Sequence, residues 1–506
     1  VLPPASPMGG VTVTPPVPAP GMSMVAVTPC AALVERGVDL ALAGQSVEAD
    51  AALMAATGLC PLDAAAWREL AGLRFTQARW DDAARLAAIA VDLAGDDAQA
   101  RQLLATSRYL DGDLGGALRA WTPLGEPRVD AITVTGAVRM THPAVIAASG
   151  LQARRLLTEA MWQRANRRVG DIPTVLRGRV AYVPTDAGLT DVDIAVVEHP
   201  VMPSGWVPLG VLAARTVVSQ ELRLDVYGAL SQGDRFSGSW RWTSARARGT
   251  FGAAFPAPSW LTGVVSLEAL WERQTYAVRG AAATDTIRES RRRAVLRVSD
   301  WASGRVRWHV GLGTDRFDGR GHATGEVGLE LRLADDRAAV AVTGQGWAPY
   351  RGSSRLGGLT VLVAARSTAT SNRPVFLLSS ALETVSEDAP RAVWPGAGTG
   401  GRGRLLRAHP LVVDDVVQGP AFGRRVSSTT AEYWHPVREM FDRGIAVAVF
   451  IDGARTWEPL GRWYLDTGVG VRLTTPGGKV RLDMAHGLRG GGLTWSAGWI
   501  TRWPSS

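Results

Sequence analysis

Residues 327–333 read Val327-Gly328-Leu329-Glu330-Leu331-Arg332-Leu333, with an aliphatic side chain at every odd position and none at the even ones. Successive side chains of a β-strand point to opposite faces, so this run has one apolar face and one polar face. The same period returns at Val306-Arg307-Trp308-His309-Val310-Gly311-Leu312, at Leu222-Arg223-Leu224-Asp225-Val226-Tyr227 and at Val480-Arg481-Leu482-Asp483-Met484. Throughout residues 201–506 Gly, Arg, Trp and Val dominate, and no other domain signal interrupts the strand pattern. Alternation alone does not say which face meets the solvent. A water-soluble sandwich turns its apolar face inward. A transmembrane barrel turns it outward to lipid and keeps the polar face toward a wet lumen. Tryptophans recurring near the strand ends favour the barrel, because interfacial aromatic girdles sit there. Closure would also leave no sheet edge in lipid.

The totals are compatible with this reading. The chain has 506 residues, 46% hydrophobic and 20% charged, with 55 Lys+Arg against 47 Asp+Glu and a formal net charge of +8. Such a composition belongs to folded material and not to a disordered chain. The basic residues are nearly all Arg and are spread along the chain, so nucleic-acid binding is not expected. No apolar run is long enough for a transmembrane helix, a test that barrel strands escape. The opening at Val1 lacks a basic segment followed by an apolar core. Residues 1–29 are therefore read as a flexible Pro-rich linker and not as a signal peptide, at a mature end or at the start of a fragment.

Residues 30–126 are Ala/Leu-rich with helical periodicity. Small residues return every 34 positions, at Gly44, Ala78 and Gly112, at Ala49, Ala83 and Ala117, and at Gly37, Ala71 and Ala105. The expectation is that these let paired helices approach closely. The period and its internal Ala spacing resemble the tetratricopeptide repeat, with Trp67 and Trp80 where that family carries large rings. The resemblance implies a stack of helix pairs that docks a partner protein, here one in the periplasm, or else a scaffold without a ligand. The only two cysteines, Cys30 and Cys60, either form a disulfide or stand as two buried helix cysteines.

Residues 127–200 give strand, helix, helix, strand, strand. Val129 to Gly136 alternates and ends on a glycine, and a helix follows near Pro143 to Ala148. Thr158 can cap a second helix that runs to Val169. Gly178 to Val183 and Asp191 to Glu198 are the closing strands. This order resembles a POTRA domain. The resemblance implies a sheet edge able to pair with an incoming strand, or a spacer between repeat and barrel.

Gly400 to His409, Ala446 to Ala454 and Gly468 to Asp483 are three stretches near the C-terminus that together resemble the BamA/TamA assembly-factor superfamily. Gly400-Gly401-Arg402-Gly403-Arg404-Leu405-Leu406-Arg407-Ala408-His409 falls where that family folds a long loop into the lumen, with a V-R-G-F-like tip. Arg407 matches its arginine, while Ala408 stands for the glycine and His409 for the aromatic. Ala446 to Ala454 matches the F-x-D-x-G strand at Phe450 and Asp452, and Glu432-Tyr433 with Pro436 resembles the strand before it. Gly468 to Leu473 and Val480 to Asp483 resemble the penultimate hairpin. The last strand carries Leu493, Trp495, Ala497, Trp499, Thr501 and Trp503 on one face, which resembles the C-terminal insertion signal of outer-membrane barrels; here Pro504-Ser505-Ser506 follow it. By parity Ile445, Val447, Val449 and Ile451 face lipid, which turns Phe450 and Asp452 to the lumen. The resemblance then implies an ion pair between Arg407 and Asp452 anchoring the loop, with Glu432 nearby.

The fold class expected is therefore multidomain. Tetratricopeptide-type helices span 30–126, one α/β POTRA domain 127–200, and a transmembrane antiparallel barrel of about 16 strands 201–506. The resemblance implies a place in the bacterial outer membrane with residues 1–200 in the periplasm. It also implies outer-membrane lipid and an unfolded barrel or secreted protein as partners. The function implied is help with insertion into, or transport across, that membrane. A passive channel, an anchored adaptor and a water-soluble β-domain remain as alternatives. No H-E-x-x-H, G-x-S-x-G or G-x-x-x-x-G-K-[ST] occurs, so no catalysis, metal or cofactor is expected.

Overall fold

The computed structural model describes residues 29–500 apart from 203–208, 211, 214, 215, 218, 219, 231, 259, 279–284, 353, 369–372, 400–403, 441, 442, 458–460, 476 and 477. The chain divides into two compact units at Leu124/Gly125, and the linker expected over 1–29 lies outside the described residues except for Pro29.

The first unit is six helices: α1 (Pro29–Leu42), α2 (Ser46–Leu59), α3 (Ala64–Thr76), α4 (Trp80–Leu93), α5 (Ala98–Leu110) and α6 (Leu114–Trp121). Consecutive helices pack, and α3 also touches α1 and α5. The 34-residue spacing has two different physical causes. Ala49, Ala83 and Ala117 are fully buried, as are Ala71 and Ala105. At Gly37 an added Cβ would stand 2.6 Å from Leu53 Cγ, so close helix approach explains that position. Gly44, Ala78 and Gly112 instead occupy the turns inside the helix pairs, with φ of 76°, 56° and 90°. Nothing lies within 4 Å of a Cβ at Gly44 or Gly112. Left-handed backbone, not packing, selects small residues there. Asp63, Asp97 and Asp113 cap α3, α5 and α6 by accepting from Ala65, Ala100 and Gly116 N–H groups at 3.0, 2.9 and 2.8 Å. Trp67 donates to the Pro61 carbonyl at 2.9 Å, and Trp80 packs edge-on against Phe75. Cys30 and Cys60 are bonded to each other.

The second unit opens with β1 (Arg128–Thr135), α7 (His142–Ser149), α8 (Glu159–Asp171), β2 (Val175–Pro184) and β3 (Leu189–Glu198). The sheet order is β1-β3-β2, with β1 parallel and β2 antiparallel to β3. Gly136 ends β1 with φ 77°, where a Cβ would meet the Val196 carbonyl at 2.2 Å. Thr158 Oγ1 accepts from Met161 N–H at the start of α8. Val129, Val145, Leu157, Val169, Val192 and Ile194 form the core between helices and sheet.

The rest is, besides a separate two-stranded sheet formed by two short strands of a connection, one large sheet with long antiparallel strands. Its first ten strands are β4 (Glu221–Tyr227), β5 (Arg235–Arg241), β6 (Arg248–Pro256), β7 (Val264–Ala277), β8 (Thr286–Trp301), β9 (Val306–Phe317), β10 (Arg320–Leu333), β11 (Ala338–Pro349), β12 (Leu356–Arg366) and β13 (Val375–Val385). Four two-residue strands follow inside a long connection: β14 (Gly396–Ala397), β15 (Val412–Val413), β16 (Val416–Val417) and β17 (Ala421–Phe422). The sheet resumes with β18 (Arg425–Met440), β19 (Arg443–Thr456), β20 (Tyr464–Thr475), β21 (Gly478–Gly487) and β22 (Leu493–Ile500). Seventeen strands belong to this sheet, in the order of a barrel. Fifteen of them are the long strands, each antiparallel to the next. About sixteen strands were implied; most of 203–219, the span before β4, lies outside the described residues.

The sheet answers what alternation left open. The apolar rows point outward: Leu312 is 68% exposed, and Val327, Leu329, Val449, Ile451 and Leu482 are exposed beside it. The inner face is polar and paired, with Arg291 2.7 Å from Asp315 and Arg293 2.6 Å from Glu326. A sandwich buries the opposite face.

The α/β module grips one rim of the sheet. Arg168 makes a two-point contact with Asp300 at 2.8 and 2.6 Å, and Thr262 donates to the same carboxylate. Arg167 reaches Asp336 at 2.6 Å and the Gly304 carbonyl at 3.0 Å. Trp301 donates to Asp171, and Thr174 to the Asp234 carbonyl. Arg139 bridges Glu198 and the Tyr227 carbonyl. Burial pushes the Glu198 carboxyl up, but the Met140, Arg139 and Val138 N–H groups and the Arg139 guanidinium outweigh it and hold it below the usual range.

Candidate functional site

The connection between β13 and β18 lies against the inner face of the sheet. Its first turn hangs on β8, where Ala392 N–H donates to Glu289 at 2.8 Å. Further on, β16 pairs in parallel with the end of β7, Val416 opposite Thr275 and Val417 opposite Tyr276. Leu411, Val417 and Phe422 pack on Tyr276. Leu406, Ala397 and Ala421 pack on Ala454 of β19. These anchors on two separated strand groups stretch the segment Leu406-Arg407-Ala408-His409 across β18 to β22.

Arg407 is fully buried. It donates through Nη2 to Glu432 of β18, and its Nε lies 3.4 Å from Asp452 Oδ2 of β19 and 3.4 Å from Asp483 Oδ2 of β21. Its Cζ stands 3.7 Å above the Phe450 ring centroid, and Thr494 of β22 donates to its carbonyl at 2.7 Å. One side chain and its carbonyl thus address four strands. The residues expected together from the sequence, Arg407, Asp452, Phe450 and Glu432, meet here. Glu432, not Asp452, takes the hydrogen bond, because Glu432 stands directly opposite Phe450 in the register and the guanidinium lies over that ring.

Sequence reading did not single out the rest of the site. Arg472 bridges Glu432 at 2.9 Å and Asp483 at 2.5 Å, and Trp434 donates to Glu432 at 2.6 Å. Asp466 accepts from Ala408 N–H at 2.5 Å and meets His409 Nδ1 at 2.6 Å. Their signal was inward parity on strands whose other face is aliphatic. Two glycines make the space: a Cβ at Gly468 would lie 2.6 Å from Phe450 Cζ, and one at Gly470 2.1 Å from Asp483 Oδ1. Arginine surrounded by carboxylates, with an aromatic face beneath it, makes a charge-assisted clamp on the loop.

The other residues expected to act lie elsewhere. Trp495 is 76% exposed on the outward face of β22, beside Leu493 and Ala497. Trp499 belongs to the same strand, opposite Val480. Trp503 and residues 400–403 of the loop lie outside the described residues. Cys30 and Cys60 are in the helical unit.

No family model matches this chain, and no curated protein does. Solved structures do match. CdiB from Acinetobacter baumannii is 10% identical with a TM-score of 0.47, over 79% of this chain and 81% of that one. BamA from Haemophilus ducreyi lacking POTRA domains 1–3 is 11% identical with a TM-score of 0.45, over 74% of this chain and 84% of that one. CdiB from Escherichia coli is 14% identical with a TM-score of 0.50, over 74% of this chain and 76% of that one, a likeness of fold.

Proposed function

We propose that this protein sits in a bacterial outer membrane and helps polypeptides insert into that membrane or cross it. The observation that carries the reading is the loop clamped by Arg407 between Glu432, Asp452 and Asp483 on the inner face of a sheet whose outer face is aliphatic. An apolar outer face belongs against lipid, and a loop held on the inner face occupies the path through it. The α/β module is read as a POTRA domain in which β2, at the edge of the sheet, accepts an incoming strand. The helical unit is read as tetratricopeptide-type repeats docking a periplasmic partner. The site is read as a loop anchor and not as a catalytic centre.

Liposomes carrying the purified protein should accelerate the folding of an added outer-membrane barrel substrate over empty liposomes. No acceleration, with the protein itself shown to be folded, counts against insertion. The second reading is a passive channel, favoured by the paired charges that line the inner face around Arg297, Glu326 and Glu268. Steady conductance in planar bilayers without added substrate distinguishes it.

A further inference from the structure

His409 stands where an aromatic was expected from the loop-tip pattern, and it is almost wholly buried. Both ring nitrogens face acceptors: Nδ1 is 2.6 Å from Asp466 Oδ1, and Nε2 is 2.9 Å from the Arg489 carbonyl. A carbonyl cannot donate, so Nε2 carries hydrogen. The other carboxylate oxygen, Oδ2, already accepts from Ala408 N–H. The short Nδ1···Oδ1 contact then needs a proton of its own. A neutral imidazole beside an ionised carboxylate is one proton short of this arrangement.

The charges around the tip point the same way. Glu432 of β18, Asp452 of β19, Asp466 of β20 and Asp483 of β21 are four buried carboxylates. Arg407 of the loop, Arg472 of β20 and Arg481 of β21 supply three guanidinium groups, Arg481 at 3.8 Å from Asp483. Carboxylates outnumber guanidinium groups here by one, so a proton taken up by the cluster adds no uncompensated buried positive charge. Tyr464 adds only a ring edge against the imidazole, at 5.2 Å between centroids. Gly487 and Gly491 flank it closely: a Cβ at either would lie 2.9 Å from His409 Cε1.

We infer that His409 and Asp466 form a proton-binding site that bolts the loop tip to β20 and to the turn after β21, so that loop release is coupled to loss of that proton. Arg407 is a permanent bolt, since a guanidinium does not deprotonate. The His409–Asp466 contact is held by a shared proton and is the one that can come off. The inference stands on these contacts and not on the transport reading.

Hydrogen exchange of peptides covering residues 404–411 tests it, on the full chain in detergent, corrected for the intrinsic rate, across roughly pH 5–8, where imidazole side chains change charge. Protection of the tip should be greatest at the acid end and fall as pH rises, while β10 peptides around Glu326 keep theirs. His409→Phe, which keeps the ring and removes the proton site, should give a profile without that fall. A flat wild-type profile overturns the inference, and so does a fall that persists in His409→Phe. Should that variant not fold, Asp466→Asn removes the same proton site from the other side and must flatten the profile.

Discussion

Replacing Arg407 by Met keeps the length of the side chain and removes its charge. In the wild type the guanidinium is out of water and within 3.4 Å of Asp452 and of Asp483, with Glu432 hydrogen-bonded to it. After the change Arg472 still serves Glu432 and Asp483, but Asp452 has lost its ion-pair partner among the described residues. Removing one partner of a buried ion pair costs about 3–5 kcal/mol, because the other charge stays buried. At 1.4 kcal/mol per tenfold, the closed loop should lose a factor of about 10² to a few times 10³ against the open loop. Arg407→Lys should fall between, since an ammonium keeps the charge but not the planar fork that lies over Phe450. Cleavage of the 386–424 connection by a broad-specificity protease reads the open population. Heat-modifiable gel mobility reads the sheet separately. The expected outcome is fast loop cleavage with the mobility shift retained. Adding Asp452→Asn to Arg407→Met should recover part of the loss, because the orphaned charge is then gone. Cleavage within twofold of wild type in Arg407→Met would refute the clamp, and failure of the double variant to recover anything would refute its electrostatic account.

Three further outcomes follow from other parts of the molecule. In Asp97→Ala the α5 cap is lost, and unfolding of the helical unit followed by circular dichroism should show a loss of about 1 kcal/mol at neutral pH. Burial pushes the Asp97 carboxyl up, but the Ala100 N–H and Arg68 outweigh it and hold it below its ordinary value; its contribution is therefore complete above about pH 4 and fades as pH falls through the lowered value, so the variant and wild type should converge in acid. Gly37→Val forces a Cβ to 2.6 Å from Leu53 Cγ and should cost about 1–3 kcal/mol in the same assay; an unchanged midpoint would show that α1 and α2 are not in close contact. Asp300→Ala strips Arg168 of its two-point partner and should raise hydrogen exchange in α8 without altering the gel mobility of the sheet, whereas unchanged exchange would mean the rim contact does not hold the module.

Period-two alternation was legible at Val327 to Leu333 because the pleat alone enforces it. Which face those leucines take was not, since a sandwich and a barrel write the same pattern; only the exposure of Leu329 and the pairing of Arg293 with Glu326 decide it. The strand–helix–helix–strand–strand order of 128–198 could be read from caps and turns, since Thr158, Gly136 and Gly150 act within a few residues of themselves. The repeat period was legible at Gly44, Ala78 and Gly112, but its cause there was not, because smallness serves a tight approach and a left-handed turn alike. At the loop, the inward turn of Asp452 was reachable through parity on β19, and Glu432 through the resemblance of the strand before it. Asp466, Arg472 and Asp483 belong to the same cluster only through the register of two further ladders, and one sequence does not fix register between strands.

The fifteen long strands alternate in direction without a break, so β4 and β22 run the same way. Any backbone pairing between those two strands is therefore parallel, while every other junction along the run is antiparallel. Parallel bonds are slanted and slightly weaker per residue. A wall stitched throughout with one kind of thread has, at that single join, a looser one. Tension spread evenly around the described strands would part such a wall there first.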